Sequence, residues 1–377
     1  MTVWDSLVGQ GQIRASLQSA VSGQGMTHAW LFTGPPGSGR SNAALAFAAS
    51  LQCHEGGCGS CEDCRTTLAG SHPDVRVRRS DRVVISVDLA REWVREAALM
   101  PVRGRWQVII VEDADRLHER ANNALLKAIE EPTPRTVWIL CAPQVDDVLP
   151  TIRSRTRTII LGTPRPDDVA QFLTQRFDVS PGLAAHAARA SQGHIGRAKA
   201  LALEEDTRTR RREVVRLPPR LTTLGACMTA AANLADLATE EATADTDRLN
   251  AKEVEELEAL YGSDRKSRSA RSARAAFSEL ERDHKARLKR KVLDSVDRQL
   301  TELLSVYRDV LVVQTGAGGH LVNEEQRAEV EDLARRTTPE ETLHRIDAVY
   351  EARRQMMEFN VPPLLALESM MVSLKTS

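Results

Sequence analysis

The chain has 377 residues, a formal net charge of −1, and 27% charged against 4% aromatic residues. That length exceeds what one small core needs, so two or three domains are expected, soluble and rich in helix. Near-neutrality removes any global attraction to DNA or a membrane and leaves such contacts to local patches.

The first six residues, Met1-Thr2-Val3-Trp4-Asp5-Ser6, carry no basic stretch followed by an apolar one, so no signal peptide is expected. No apolar run is long enough to span a bilayer, which predicts a cytoplasmic protein with no membrane partner. From Ala29 to Leu161 short apolar runs alternate with amphipathic stretches, the pattern of an α/β domain with a parallel sheet. Ala29-Trp30-Leu31-Phe32-Thr33 reads as a strand that runs directly into Gly34-Pro35-Pro36-Gly37-Ser38-Gly39-Arg40-Ser41. The glycines at 34, 37 and 39 let successive backbone N–H groups turn inward as an anion cradle at the head of an alanine-rich helix, Ser41 to Leu51. Ser41 stands where a hydroxyl would hold Mg²⁺ beside ATP or ADP. Arg40 stands where a working loop has lysine. Its broad, forked guanidinium still pairs with phosphate oxygens, but it fits less well between the outer phosphates during transfer.

Cys53, Cys58, Cys61 and Cys64 follow, spaced by four, two and two residues with Gly56, Gly57 and Gly59 between them. Four thiolates so placed close tetrahedrally on Zn²⁺ with no open position, which predicts a structural site; an iron–sulfur cluster is the other reading. Such a cluster suits a reducing compartment better than a disulfide framework does. Trp106 to Val111 and Thr136 to Leu140 read as buried strands. The first ends in Glu112-Asp113, a pair of carboxylates suited to Mg²⁺ and to the attacking water, but in the reverse of the usual aspartate-then-glutamate order. Between these strands Leu117 to Glu130 reads as a helix with Leu117, Ala121, Ala124, Leu125 and Ala128 on one face, stopped by Pro132 and Pro134.

Composition shifts at Thr163-Pro164-Arg165-Pro166 and again near Leu217-Pro218-Pro219. The expected domains are 1–163, a nucleotide-binding fold with the cysteine insert at 53–64; 164–216, a small helical lid; and 217–377, all helical, with a charged insertion around 240–295. The lid holds three short helices, Asp167 to Phe177, Leu183 to Ser191 and Gly196 to Leu203. In the insertion, 240–258 is acidic and 265–291 is basic, including Arg265, Lys266, Arg268, Arg271 and Lys291. Two readings stand: an arm that contacts DNA or a partner, and a solvated, partly disordered helical excursion.

Val8-Gly9-Gln10, the glycine loop, the four cysteines, Asn123 to Pro132 (NALLKAIEEP) and Leu149 to Arg155 (LPTIRSR) recur in this order in one family. On them the chain resembles the AAA+ clamp-loader subunits of bacterial DNA polymerase III, closely over Met1 to about Leu203 and more loosely beyond. The resemblance implies an AAA+ domain, a lid and a helical collar, in a subunit that helps load a sliding clamp onto primed DNA. The implied partners are ATPase and delta-type loader subunits, the clamp, and primer-template DNA through the assembly. The family has Ser-Arg-Cys where this chain has Ser154-Arg155-Thr156, and the resemblance makes Arg155 an arginine finger that completes a neighbour's ATP site. It also places Cys141-Ala142 where active relatives carry a polar sensor, and a lid arginine near Gly196 or Arg197. Arg40, Glu112-Asp113 and Cys141 together imply a weak or inactive site of its own. The alternatives are an active AAA+ motor subunit and a zinc-dependent nucleic-acid-binding module.

Overall fold

A computed structural model describes residues 2–79, 84–261 and 269–375. They form two compact units, Met1–Leu203 and Glu204–Ser377. Among the described residues no helix is long and apolar enough to cross a membrane.

The first unit is built on a five-stranded parallel sheet: β1 (Ala29–Thr33), β2 (Val75–Arg78), β3 (Gln107–Val111), β4 (Thr136–Ala142) and β5 (Arg157–Ile160). The strand order is β2-β3-β4-β1-β5, so the chain leaves β1 toward one edge and returns to pair β5 on its other side. That reversal puts the loop after β1 at a switch point, the place where open α/β sheets bind ligands. Every residue of β1, β3 and β4 is buried, because helices cover both faces and leave no position for water. Trp30, Phe32, Val108 and Ile139 face the helix Arg40–Gln52, whereas Leu31, Ile109, Trp138 and Leu140 face the helices Val87–Ala97 and Glu119–Glu130.

The helix expected from Leu117 starts two residues later, at Glu119. His118 caps it by accepting the Arg120 N–H on its ring nitrogen, and Asn122 turns inward to donate to the Leu117 carbonyl. The buried face is therefore Ala121, Asn122, Leu125 and Ile129, and Leu117 packs from the preceding turn. The three lid helices are Pro166–Phe177, Pro181–Ala190 and Ile195–Leu203, each within two residues of the expected span, around a core that includes Val169, Leu173 and Leu201.

The Asp74 carboxylate, fully buried, ties the start of β2 to the loop that leads into β3 by accepting the N–H groups of Val102, Arg103 and Gly104 at 2.7, 2.8 and 2.5 Å. Burial alone would raise its pKa, but these three donors outweigh it and hold the carboxyl below its ordinary value of 3.8. Its contribution to stability is therefore complete above that ordinary value and is lost as pH falls through the lower folded value. Asp74→Ala strands three buried donors and will cost about 3 kcal/mol of unfolding free energy. Urea titration at neutral pH measures the loss; a midpoint equal to that of the unsubstituted chain would refute it.

The second unit is helical. The helix Glu205–Val215, assigned to the lid segment from sequence, packs in this unit with Ser269–Thr315. Leu234, Leu300, Leu303, Leu367 and Met371 make its core. Tyr307 and Asp309 are interior, and Asp309 accepts the backbone N–H groups of Val322 and Asn323 at 2.9 and 2.7 Å. The acidic and basic tracts are the facing walls of an antiparallel hairpin between Leu224–Tyr261 and Ser269–Thr315. Glu241 meets Arg298 at 2.9 Å, Asp245 meets Lys291 at 3.2 Å and Glu253 meets Arg287 at 2.8 Å. The segregation of charge that looked like a binding arm or a loose excursion is, over these residues, one helix matched to its partner. Arg265, Lys266 and Arg268 lie outside the described residues, as does the Arg271 side chain.

Candidate functional site

Thr33 ends β1 and the chain turns through Gly34 to Gly39 into the helix Arg40–Gln52. Gly37 has φ +81°, and a Cβ there would fall 2.1 Å from the His194 ring. Only glycine satisfies both the left-handed backbone and that approach. The start of the third lid helix thus closes on the loop, and the Ile195 N–H donates to the Gly37 carbonyl at 3.0 Å. His194 also accepts the Arg197 N–H on Nδ1 at 3.1 Å, which fixes the ring.

Four polar atoms of this corner are buried without a hydrogen-bond partner: Thr33 Oγ1, Ser38 Oγ, Arg40 Nη1 and Asp115 Oδ1. Buried polar groups are otherwise almost always paired. Hydroxyl and guanidinium donors without a protein acceptor, at the N-terminus of the helix Arg40–Gln52, suit phosphate oxygens, so these residues fit the phosphates of a nucleotide. Gly34, Pro35, Pro36, Gly37, Ser38, Gly39, Arg40 and Ser41 make up the turn from β1 into the helix at this corner.

The carboxylates of the β3 end are differently engaged. Glu112 is bound by Arg79, at 2.5 Å to Nε and 3.0 Å to Nη2. Asp113 adopts φ +53°, a left-handed conformation that aspartate tolerates better than most residues. Asp115 is the inner acid: burial pushes its carboxyl above the ordinary range, the Asp113 charge adds to this, and Arg116 and Arg40 oppose it. Cys141 closes the corner from β4; burial, with the Glu112 charge adding, pushes its thiol up to about 12. A neutral, buried thiol is a weak donor and a poor device for orienting water. Sequence reasoning did not single out Asp115, Arg79 or His194. Asp115 follows Glu112-Asp113 by two residues and was open to detection, whereas Arg79 and His194 reach the corner only through the fold.

The four cysteines converge. Their Sγ atoms all lie within 4.8 Å of one another, and Cys53 Sγ is 3.7 Å from the Sγ of both Cys58 and Cys61. Backbone N–H groups of Cys58, Cys61 and Cys64 point at the sulfurs of Cys53, Cys58 and Cys61, at 3.5, 3.3 and 3.4 Å. Such donors favour thiolate and orient ligands around a metal. Hydrogen bonds from Ser60 and from the Cys61 backbone hold Cys58 down to about 6, while burial pushes Cys61 and Cys64 up, a cost that a bound cation would reverse. A closed set of four thiols fits Zn²⁺ in a structural role. Trp4 Nε1 donates to the Gly56 carbonyl and the Val3 N–H to that of Gly57, so the N-terminal segment clasps the knuckle.

Arg155 lies far from these groups in sequence, on the turn between the helix Pro150–Arg153 and β5. Its side chain is 40% exposed, and its Nε stands 2.5 Å from Glu130 Oε1. Nη1 donates to the Thr151 carbonyl at 2.8 Å and to Ser154 Oγ at 3.1 Å. Thr156, where the family has cysteine, donates its hydroxyl to the Arg153 carbonyl and closes the turn.

Two family models match: "DNA polymerase III, delta subunit" over residues 9–165 and "DNA polymerase III, delta subunit, C terminal" over 281–376. The chain is 32% identical over 178 residues to DNA polymerase III subunit delta' of Bacillus subtilis, covering 46% of this chain and 54% of that one. It is 38% identical over 134 residues to the delta' subunit of Pseudomonas aeruginosa (34% and 41%), and 37% identical over 155 residues to subunit gamma/tau of Mycobacterium tuberculosis (40% and 27%). It thus spans about half, or less, of the length of these curated relatives. A gamma subunit-related protein of DNA polymerase III from Thermotoga maritima overlays 96% of this chain and 98% of its own, at 13% identity and a TM-score of 0.37. With a parallel sheet behind a glycine loop, a helical second unit and two matching family models, the chain is similar to delta-type subunits of bacterial DNA polymerase III over residues 9–165 and 281–376.

Proposed function

We propose that the chain is the delta-prime subunit of a replicative clamp loader. It helps ATP-driven placement of the sliding clamp on primed DNA and lends Arg155 to the ATP site of an adjacent subunit. Its partners on this reading are the ATPase and delta-type subunits, the clamp, and primer-template DNA through the assembly. The observation that carries the reading is the contrast between its two arginine sites. Arg155 stands at an exposed turn with its guanidinium already oriented, while the chain's own phosphate loop has arginine for lysine and its Glu112 is paired with Arg79.

The loop still supports nucleotide binding, because Arg40 Nη1 and Ser38 Oγ are buried donors that lack a protein acceptor. ATP or ADP with Mg²⁺ would be held by Gly34 to Ser41 together with the acids Asp113 and Asp115, with Glu112 available only if it leaves Arg79. Hydrolysis needs more than binding. The point charge of lysine, a free carboxylate pair and a polar sensor each stabilise charge or place water in the transition state, and each is altered here.

Zn²⁺ held by Cys53, Cys58, Cys61 and Cys64 would supply rigidity and no chemistry, since all four ligands are protein. In a single-turnover assay the isolated chain will bind ATP yet hydrolyse it no faster than buffer with Mg²⁺. Turnover at about 1 per second, within the usual range for enzymes, would instead identify an active motor subunit.

A further inference from the structure

Glu130 is the last residue of the helix Glu119–Glu130, where the helix dipole is negative and an acidic side chain is locally unfavourable. The cation that compensates it is Arg155, whose Nε lies 2.5 Å from Glu130 Oε1. The Thr151 carbonyl and Ser154 Oγ hold Nη1. These contacts engage the Nε and Nη1 edges of the guanidinium. The position of Glu130 is itself fixed from the sheet, because His28, the residue before β1, donates from Nε2 to the Ile129 carbonyl at 2.8 Å. His28, Ile129, Glu130 and Arg155 line one shallow cleft.

Resting on the reading of Arg155 as a finger, we propose that Glu130 is its positioning residue: the carboxylate braces the guanidinium so that the Nη2 edge is presented to the neighbour's nucleotide. An arginine side chain free to rotate would have to be ordered at each catalytic event, and this brace orders it beforehand. Side chains 43% and 40% exposed contribute little to folding when paired, so the effect belongs to orientation and not to stability.

The test uses a loader assembled from this chain and the gamma/tau-type and delta-type subunits of its own source, with clamp and primed DNA. Glu130→Ala will lower kcat at the adjoining site about fivefold with KM for ATP unchanged. Glu130→Gln, which keeps an acceptor for Nε, will restore most of the rate. Arg155→Ala combined with Glu130→Ala will be no slower than Arg155→Ala alone. In the free chain, the Arg155 Nε–H resonance will be sharp and shifted, and Glu130→Ala will move it toward solvent-exposed values. If Arg155→Ala slows the loader while Glu130→Ala leaves kcat intact, or if the two losses multiply, the brace is wrong and the finger stands. If Arg155→Ala has no effect, the finger reading falls and the brace with it.

Discussion

Arg155→Ala will slow hydrolysis at the adjoining ATP site by about a thousandfold, at the low end of what a trans-acting arginine supplies to phosphoryl transfer. The charge that spreads over the γ-phosphate oxygens in the transition state is met by a guanidinium with several N–H donors, and alanine offers none. On the proposed reading the total ATPase of the assembly will fall less if it holds further ATP sites with fingers of their own; single-site rates from pre-steady-state phosphate release isolate the affected one. Assembly should persist, since the side chain is 40% exposed and contributes no core packing. The discriminating variant is Arg155→Lys. Lysine keeps the charge and loses the fork, so it will recover only part of the rate. Arg155→Ala with wild-type kinetics at every site would exclude any role in trans.

On the proposed zinc reading, removal of the metal should cost the first unit more than any point substitution outside the four cysteines. The four thiols lie within 4.8 Å of one another, and two of them, Cys53 and Cys64, are buried. Zinc binding to such sets is worth about 10–16 kcal/mol in peptides that fold only with metal. Here the knuckle is also clasped by Val3 and Trp4, so part of the fold survives, and the loss will be about 5 kcal/mol. That corresponds to a fall of about 10–20 °C in the melting transition of a unit this size. Cys64→Ser, at the most deeply buried position, should match chelation, and the two together should add nothing. Metal analysis with cobalt substitution checks the ligand set: an intense thiolate-to-cobalt band is expected, whereas absorbance near 400 nm in the isolated protein would point to iron and sulfide.

The elements that were legible in the sequence are those with an unmixed signal. β1, β3 and β4 are apolar at every position except Thr33, Gln107 and Thr136 at their ends, and helical packing on both faces of the sheet asks for such runs. β2 and β5 were not read, because Val75-Arg76-Val77-Arg78 and Arg157-Thr158-Ile159-Ile160 are four-residue edge strands whose charged side chains reach solvent. The glycine loop and the cysteine knuckle were legible because local spacing alone dictates them. Arg79 on Glu112 and His194 on Gly37 were not, since residues 33 and 157 positions apart meet only through tertiary packing. The acidic and basic tracts were seen for what they are in composition. Their meaning depended on one tract folding back along the other, which periodicity in a single segment cannot reveal.

That folding back has a mechanical consequence. The rungs Glu241–Arg298, Asp245–Lys291 and Glu253–Arg287 climb the hairpin at nearly constant offset, like matched marks on two scales. A slide of either helix by one turn would set Glu241 against Asp294 or Glu302, a like charge, and would leave at most one of the three rungs matched, so the pair behaves as a vernier. Its rungs favour a single alignment of the two helices.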